Sequence, residues 1–297
     1  MNKKKFTKEV KLFGMGILYL LPTFVILSVF LFYPIWKTFQ FSFSDVLDGG
    51  IVDEFVGLKH YLALFDSSSF LNSIKVSFQF VLYTVPITII LSLFLAVIAN
   101  EKLKGSRFFQ MIFSSQLGIS GAASSAILLF FFHPTLGTIN NVLGFFGIPN
   151  IQWLTSPDWA LFSVALATVW MGLSLNFILL LGGLQNISVD LYESSTVDGA
   201  GYWTKLFKIT LPLLSPVLFF VTIINFINAF QSFGQIHILT EGGPSEATNL
   251  IVYSIYRESF MYGNYGFASA QAVVLFLITL FVTLIQFKVG ERRVHYQ

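Results

Sequence analysis

The chain contains no cysteine, which excludes disulfides, thiolate nucleophiles and cysteine metal sites. It is also poor in charge: Asp, Glu, Lys and Arg make up 11% of its 297 residues. A soluble domain carries about 25%, so this composition cannot cover a water-facing surface. No G-x-x-x-x-G-K-[ST] phosphate loop occurs, and the chain is not expected to hydrolyse ATP. His60, His133, His237 and His295 stand apart, without H-E-x-x-H or similar spacing, so no metal site and no bound cofactor are expected. No acid pair lies within an apolar run, which argues against an intramembrane hydrolase and against a proton relay. No catalytic residue is assigned, and nucleic acid is not an expected partner.

What is present is apolar: 55% of residues are hydrophobic and 35 are phenylalanine. Crossing the hydrocarbon core of a bilayer takes about 20 residues, and runs of that length cover 12–36, 76–100, 108–132, 159–185, 212–234 and 267–287. They lack the period-two alternation of outer-membrane strands. The expected fold is an all-α membrane protein with six transmembrane helices. The basic start, KKKFTKEVK before an apolar run, has the order of a secretory leader, but 12–36 exceeds the usual leader core of about 7–15 residues and lacks a small-residue cleavage site. It is expected to stay as the first span. The layout is then a basic N-terminus (1–11), a first span (12–36), an external segment (37–75), a core with five spans (76–287) and a C-terminal tail (288–297).

Cationic segments resist translocation, so orientation follows Lys and Arg. With the N-terminus inside, cytoplasmic segments hold Lys3, Lys4, Lys5, Lys8, Lys11, Lys102, Lys104, Arg107, Lys205, Lys208, Lys288, Arg292 and Arg293. The outside holds Lys37, Lys59, Arg257 and the borderline Lys75. Both termini are therefore expected to be cytoplasmic. Most acids fall on the external segments: Asp45, Asp48, Asp53, Glu54, Asp66, Asp158, Glu241, Glu246 and Glu258. Trp36, Trp153 and Trp159 are expected as interface anchors near the outer span ends.

Between spans four and five lies a polar stretch, LYESSTVDGAGYWTKLFKITLPLLSP. Asp190 is a candidate N-cap with Glu193 three positions on, Gly199 suits a left-handed helix stop, and Thr210 is a candidate cap for span five, with Pro212 in its first turn. The stretch resembles the EAA loop of binding-protein-dependent ABC importers: Glu193, Gly199, Ile209, Leu211 and Pro212 fall on the spacing E-A-A, three residues, G, nine residues, I, one residue, L-P. Ser194 and Ser195 replace the two alanines. The resemblance extends over FVGLKHYLALF, FFHPTLGTINNVLGFFGIP and TEGGPSEATNLIVYSIYRESFMYGNYGFASAQAVVLF, segments similar to carbohydrate-uptake permeases of the maltose-system MalF type without the large external domain.

That resemblance implies a cytoplasmic coupling helix carrying Glu193, Ser194, Ser195, Asp198 and Gly199 against a separate ATPase. It also implies a second homologous permease, two ATP-binding subunits that hold ATP and Mg, and an external solute-binding protein that delivers a sugar by alternating access. The expected location is a bacterial or archaeal inner membrane.

Polar groups inside lipid are costly unless they face protein, water or solute. In span five Asn225, Asn228, Ser232 and Gln235 form one helical stripe flanked by Gln231. Uncharged amides suit sugar hydroxyls because each both donates and accepts. They equally suit helix-to-helix hydrogen bonding, so substrate contact and helix glue stand as alternatives. Asn176 in span four and Gln116 in span three are further candidates, and Phe230 or Phe233 offers a ring face for stacking. The run GISGAASSA reads as a close-packing surface. Rival functions are an ABC permease for another polar solute, such as glycerol phosphate, and a stand-alone secondary transporter. The latter would need coupling carboxylates or an inverted repeat.

Overall fold

The computed structural model describes residues 3–47, 49–101 and 105–290, with residues 3–11 described by backbone alone. The cationic side chains expected at 3–11, 102, 104, 292 and 293, and Asp48, lie outside the described residues. Helix dominates, as the hydropathy requires: among the described residues five helices are long and apolar enough to cross a membrane, or six spans if one sharply bent pair counts as one.

Two compact units emerge. The first comprises Met1–Leu64 with Glu258–Val273. In it α1 (Lys3–Leu27) continues through a π-helical turn (Ser28–Phe32) into α2 (Tyr33–Ser42). The first span therefore reaches Ser42 rather than ending at 36. Pro34 sits in the first turn of α2, where it does not break the ladder. Thr38 then donates back to the Pro34 carbonyl (2.9 Å) and carries the polar turn onward. A hairpin follows, β1 (Ser44–Leu47) antiparallel to β2 (Ile51–Phe55), with Gly49 and Gly50 at φ +85° and +79° supplying the turn. This hairpin is a structured element where only an external connection is expected.

The second unit comprises Phe65–Arg257 with Val274–Gln297. Between the hairpin and this unit's first long rod runs α3 (Lys59–Asp66). Four helices of the second unit start on serine caps. Ser67 accepts from the Phe70 N–H (3.2 Å) at the head of α4 (Ser68–Asn100). After α5 (Ser106–Ser115) and a 3₁₀ turn, Ser120 accepts from the Ala123 N–H (3.2 Å) and starts α6 (Gly121–Phe131). The chain bends by 106° there, so the expected third span is two helices, a broken span or a re-entrant pair, rather than one rod. The GISGAASSA run is thus a corner and not a packing face at its start: a Cβ on Gly118 or Gly121 would meet nothing within 4 Å. Only Ser124 and Ser125 of the run are buried.

Next come α7 (Thr138–Phe145), α8 (Pro157–Gln185), α9 (Val189–Val197) and α10 (Tyr202–Lys205). The last of these continues through a second π turn into α11 (Leu211–Phe230). Tyr202–Phe230 is one continuous candidate span. Thr210 is an interior residue in the helical region (φ −63°, ψ −56°) with no capping bond, so it does not start span five. Then follow α12 (Gly234–Leu239), α13 (Ile251–Tyr256) and α14 (Tyr265–Gly290).

The core lies where α4 packs along α8 and α11 seats against both. Small hydroxyl residues on the buried face of α4, among them Ser73, Ser77, Thr84 and Thr88, allow this approach. Each returns its hydrogen to its own helix, as Thr84 does to the Phe80 carbonyl (2.8 Å) and Thr88 to the Thr84 carbonyl (2.7 Å). Gly183 marks a close contact of α8 with α11, where a Cβ would come within 2.6 Å of Leu214. Phe177, Leu180, Leu214 and Val221 pack around it.

Candidate functional site

The three packed rods do not close completely. A cleft of about 480 Å³ opens between them, lined by Thr84 and Thr88 of α4, Thr168, Gly172 and Asn176 of α8, and Asn225, Asn228, Gln231, Ser232 and Gln235 at the end of α11 and beyond. None of its lining residues is charged.

Within the cleft the amides divide into two kinds. Asn176 and Asn225 hold each other, with Asn225 Nδ2 donating to Asn176 Oδ1 (2.6 Å) and Asn176 Nδ2 to Asn225 Oδ1 (3.2 Å). Their remaining donors go to the Val221 and Gly172 carbonyls (both 2.7 Å). This pair joins α8 to α11. Asn228 and Gln231 are exposed in the cleft, and neither side-chain amide has a hydrogen-bond partner among the described residues. Ser232 and Gln235 stand between these cases: Gln235 Nε2 donates to Ser232 Oγ (3.0 Å) and Thr168 Oγ1 (3.2 Å), and Ser232 returns its hydrogen to the Asn228 carbonyl (3.1 Å).

Gln116 is not in this group: its amide donates to the Trp170 carbonyl (2.7 Å) and ties the bent pair to α8. Phe230 is buried in the core, whereas Phe233 lines the cleft and stacks on His237 with 5.4 Å between ring centres. Sequence reasoning missed Thr84, Thr88 and Thr168. The available signal was the four-residue spacing of Thr84 and Thr88, which puts both on one face of the helix.

At the far end of α8 the polar loop folds as a capped helix, α9. Its cap is Ser188, whose Oγ accepts from the Asp190 N–H (3.3 Å); Asp190 is in the first turn and is not the cap. The helix ends on Gly199 at φ +77°, with Gly199 N–H donating to Thr196 O (3.0 Å) and Ala200 N–H to Ser195 O (2.9 Å). This pair of bonds is the Schellman closure, which needs a left-handed residue. Glu193, Ser194, Asp198 and Gly199 are exposed and Ser195 is half-buried. Val197 is 89% exposed at the tip. Two side-chain bonds tie α9 to the base of the next rod: Tyr192 Oη with Thr210 Oγ1 (3.0 Å), and Lys205 Nζ to Thr196 Oγ1 (2.8 Å).

A polar lock joins the start of α4 to the end of α13. Arg257 Nη2 donates to Glu246 Oε1 (2.7 Å), which also accepts from Ser69 Oγ (2.7 Å). The Arg257 hydrogen bond holds the Glu246 carboxyl below its ordinary value, against the opposing effect of burial.

The cleft between these rods is polar and uncharged, with no ionisable group in its lining. Comparison with known proteins gives the chain its family. The model of the binding-protein-dependent transport system inner membrane component matches residues 61–296. The chain is 36% identical over 281 residues to the sn-glycerol-3-phosphate transport system permease protein UgpA of Yersinia enterocolitica, covering 94% of this chain and 95% of that one. To the protein of the same name in Salmonella typhimurium it is 33% identical over 277 residues, covering 93% and 94%. Among solved structures it is similar to a chain of a bacterial ABC transporter involved in the import of the acidic polysaccharide alginate, with TM-score 0.82, 25% identity, and 97% and 99% of the two chains covered. A chain of an alginate ABC transporter in complex with an alginate pentasaccharide-bound periplasmic protein matches with TM-score 0.80 and 26% identity, covering 96% of each. The chain belongs to the binding-protein-dependent transport system inner membrane component family and is a multi-pass permease subunit of an ABC importer.

Proposed function

We propose that this permease subunit passes an uncharged, hydroxyl-rich solute of the sugar class, and that the cleft between α4, α8 and α11 meets it. One observation carries the reading: Asn228 and Gln231 present unsatisfied, uncharged amides into the cleft while Asn176 and Asn225 are used up holding the helices. Amide groups replace water around hydroxyls at small desolvation cost, whereas an ion would demand a paired charge.

The same reading has this chain as one half of a path shared with a second homologous permease. Its termini and α9 are cytoplasmic, and two partner ATPases carry ATP and Mg. An external solute-binding protein delivers the solute. The exposed tip of α9, from Glu193 to Gly199, docks on an ATPase. Family membership displaces the stand-alone secondary transporter.

A glycerol phosphate importer is the second reading, favoured by the names of the relatives. Against it, a phosphate dianion would call for Lys or Arg, and the cleft lining has neither.

The test is to purify the tagged chain from its native membrane with whatever co-purifies, reconstitute it in liposomes, and measure solute-stimulated ATPase activity. A panel of neutral oligosaccharides is set against glycerol 3-phosphate. Stimulation by a neutral sugar supports the proposal, stimulation by glycerol 3-phosphate alone overturns the substrate class, and a solitary chain without ATPase overturns the assembly. Gly199→Trp should abolish transport while the chain still inserts; normal transport would remove α9 from the coupling surface.

A further inference from the structure

The segment between the bent pair and α8 carries a surface that the transport reading leaves unused. From residue 108 to residue 157 the sequence has no Asp, Glu, Lys or Arg. Fifty uncharged residues include a whole interhelical loop, and such loops in water are normally rich in charge. The loop presents its apolar groups outward: Leu136 is 79% exposed, Phe145 89% and Phe146 77%, with Val142 and Ile148 also exposed.

These groups are held in place by a rigid knot. Asn140, on the inner side of α7, is buried and fully engaged. Its Nδ2 donates to the Pro134 carbonyl (2.8 Å) and the Ile151 carbonyl (2.9 Å). Its Oδ1 accepts from the Ile151 N–H (3.2 Å) and from Trp153 Nε1 (2.8 Å). Ile139 and Leu143 pack inward against the core. With the inner face so fixed, Val142, Phe145 and Phe146, at positions i, i+3 and i+4, stand together on the outer face.

Two aromatic rings in water are costly, and an apolar face on a short helix beside spanning rods has one natural solvent. The outward surface also continues that of α6, whose Phe130 is 76% exposed at the point where the bent pair ends. We infer that α7 is a monotopic anchor: its Val142–Phe145–Phe146 face lies in the boundary between headgroups and acyl chains of the bilayer, with the Asn140 knot above it. The absence of charge from the whole segment suits that boundary and disfavours a charged soluble partner.

This chain has no cysteine of its own, so a single introduced cysteine is its one labelling site, and the transporter without that variant gives the background from the other subunits. Single variants Val142→Cys, Phe145→Cys and Phe146→Cys in the full transporter, reconstituted in phosphatidylcholine and phosphatidylglycerol vesicles, are labelled with a nitroxide. Collision with oxygen and with a water-soluble nickel chelate is then measured by power saturation. Asp53→Cys in the β hairpin serves as the water-exposed reference. High oxygen and low nickel accessibility at all three positions is the expected result. Nickel accessibility equal to that at Asp53 would overturn the inference in favour of water. Low accessibility to both reagents would overturn it in favour of a covering protein subunit. All three replaced side chains are exposed, so none of these variants disturbs the core.

Discussion

Two asparagine centres in this molecule invite comparison. At the α7 end, Asn140 spends both of its amide groups inside the protein, and Trp153, expected as an interface anchor, is its buried partner. In the cleft, Asn176 and Asn225 do the same for α8 and α11, but Asn228 and Gln231, about one and two turns on, do not. In a chain so poor in charge, residue type does not separate an amide that holds helices together from one left open to the cleft. Completeness of hydrogen bonding does, because an amide left open beside a cavity keeps its capacity for a ligand.

The largest effect should come from breaking the closed centre. Asn140→Ala strands the Ile151 N–H, the Trp153 indole and two carbonyls, and each buried unsatisfied group costs about 1–3 kcal/mol. A loss of about 3 kcal/mol or more is expected, read as a marked fall in Tm of the detergent-solubilised transporter; an unchanged Tm would mean that the knot is not structural. Asn228→Ala should instead leave Tm unchanged and weaken solute-dependent transport about tenfold, the equivalent of about 1.4 kcal/mol. Loss of assembly in that variant would move Asn228 to the structural side.

The double cycle Asn176→Ala and Asn225→Ala should yield a stability coupling of about 0.6–1.7 kcal/mol, the span seen for hydrogen bonds between helices in membranes. A coupling near zero would dissolve the distinction between the two kinds of amide. Smallest of all is the pH response of the Glu246 lock. Since Arg257 lowers the folded carboxyl below its unfolded value of 4.5, the stabilisation is complete above that pH. It is lost as pH falls through the folded value. Glu246→Gln should flatten that part of the Tm–pH curve.

Much of this was legible beforehand, for reasons that differ by element. The rods follow from hydropathy alone, since lipid admits few alternatives to helix. The break in the third span escaped because its cause is local: Gly118 and Gly121 flank the Ser120 cap, and a window of about 20 residues averages over that corner. Gly199 could be placed because only a left-handed turn demands it, but the cap at the other end of α9 could not be, as Ser188 and Asp190 are both good acceptors. In the cleft, helical phase found Asn225, Asn228, Gln231 and Ser232. It could not tell that Asn225 is satisfied across to α8, nor that Gln116 faces the Trp170 carbonyl, because both depend on which helix lies alongside.

Under the coupling proposed for α9, its bonds from Tyr192 to Thr210 and from Thr196 to Lys205 would make it the short arm of a lever whose long arm is α11. From Thr210 to Asn228 is 18 residues, about 27 Å of helix. A tilt of about 10° about the lower end would sweep the Asn228 amide sideways by about 5 Å, more than the length of any hydrogen bond it could make. The same tilt would carry Asn225 about 4 Å from Asn176, so on the proposed path release of a solute and parting of the α8–α11 amide pair would come together.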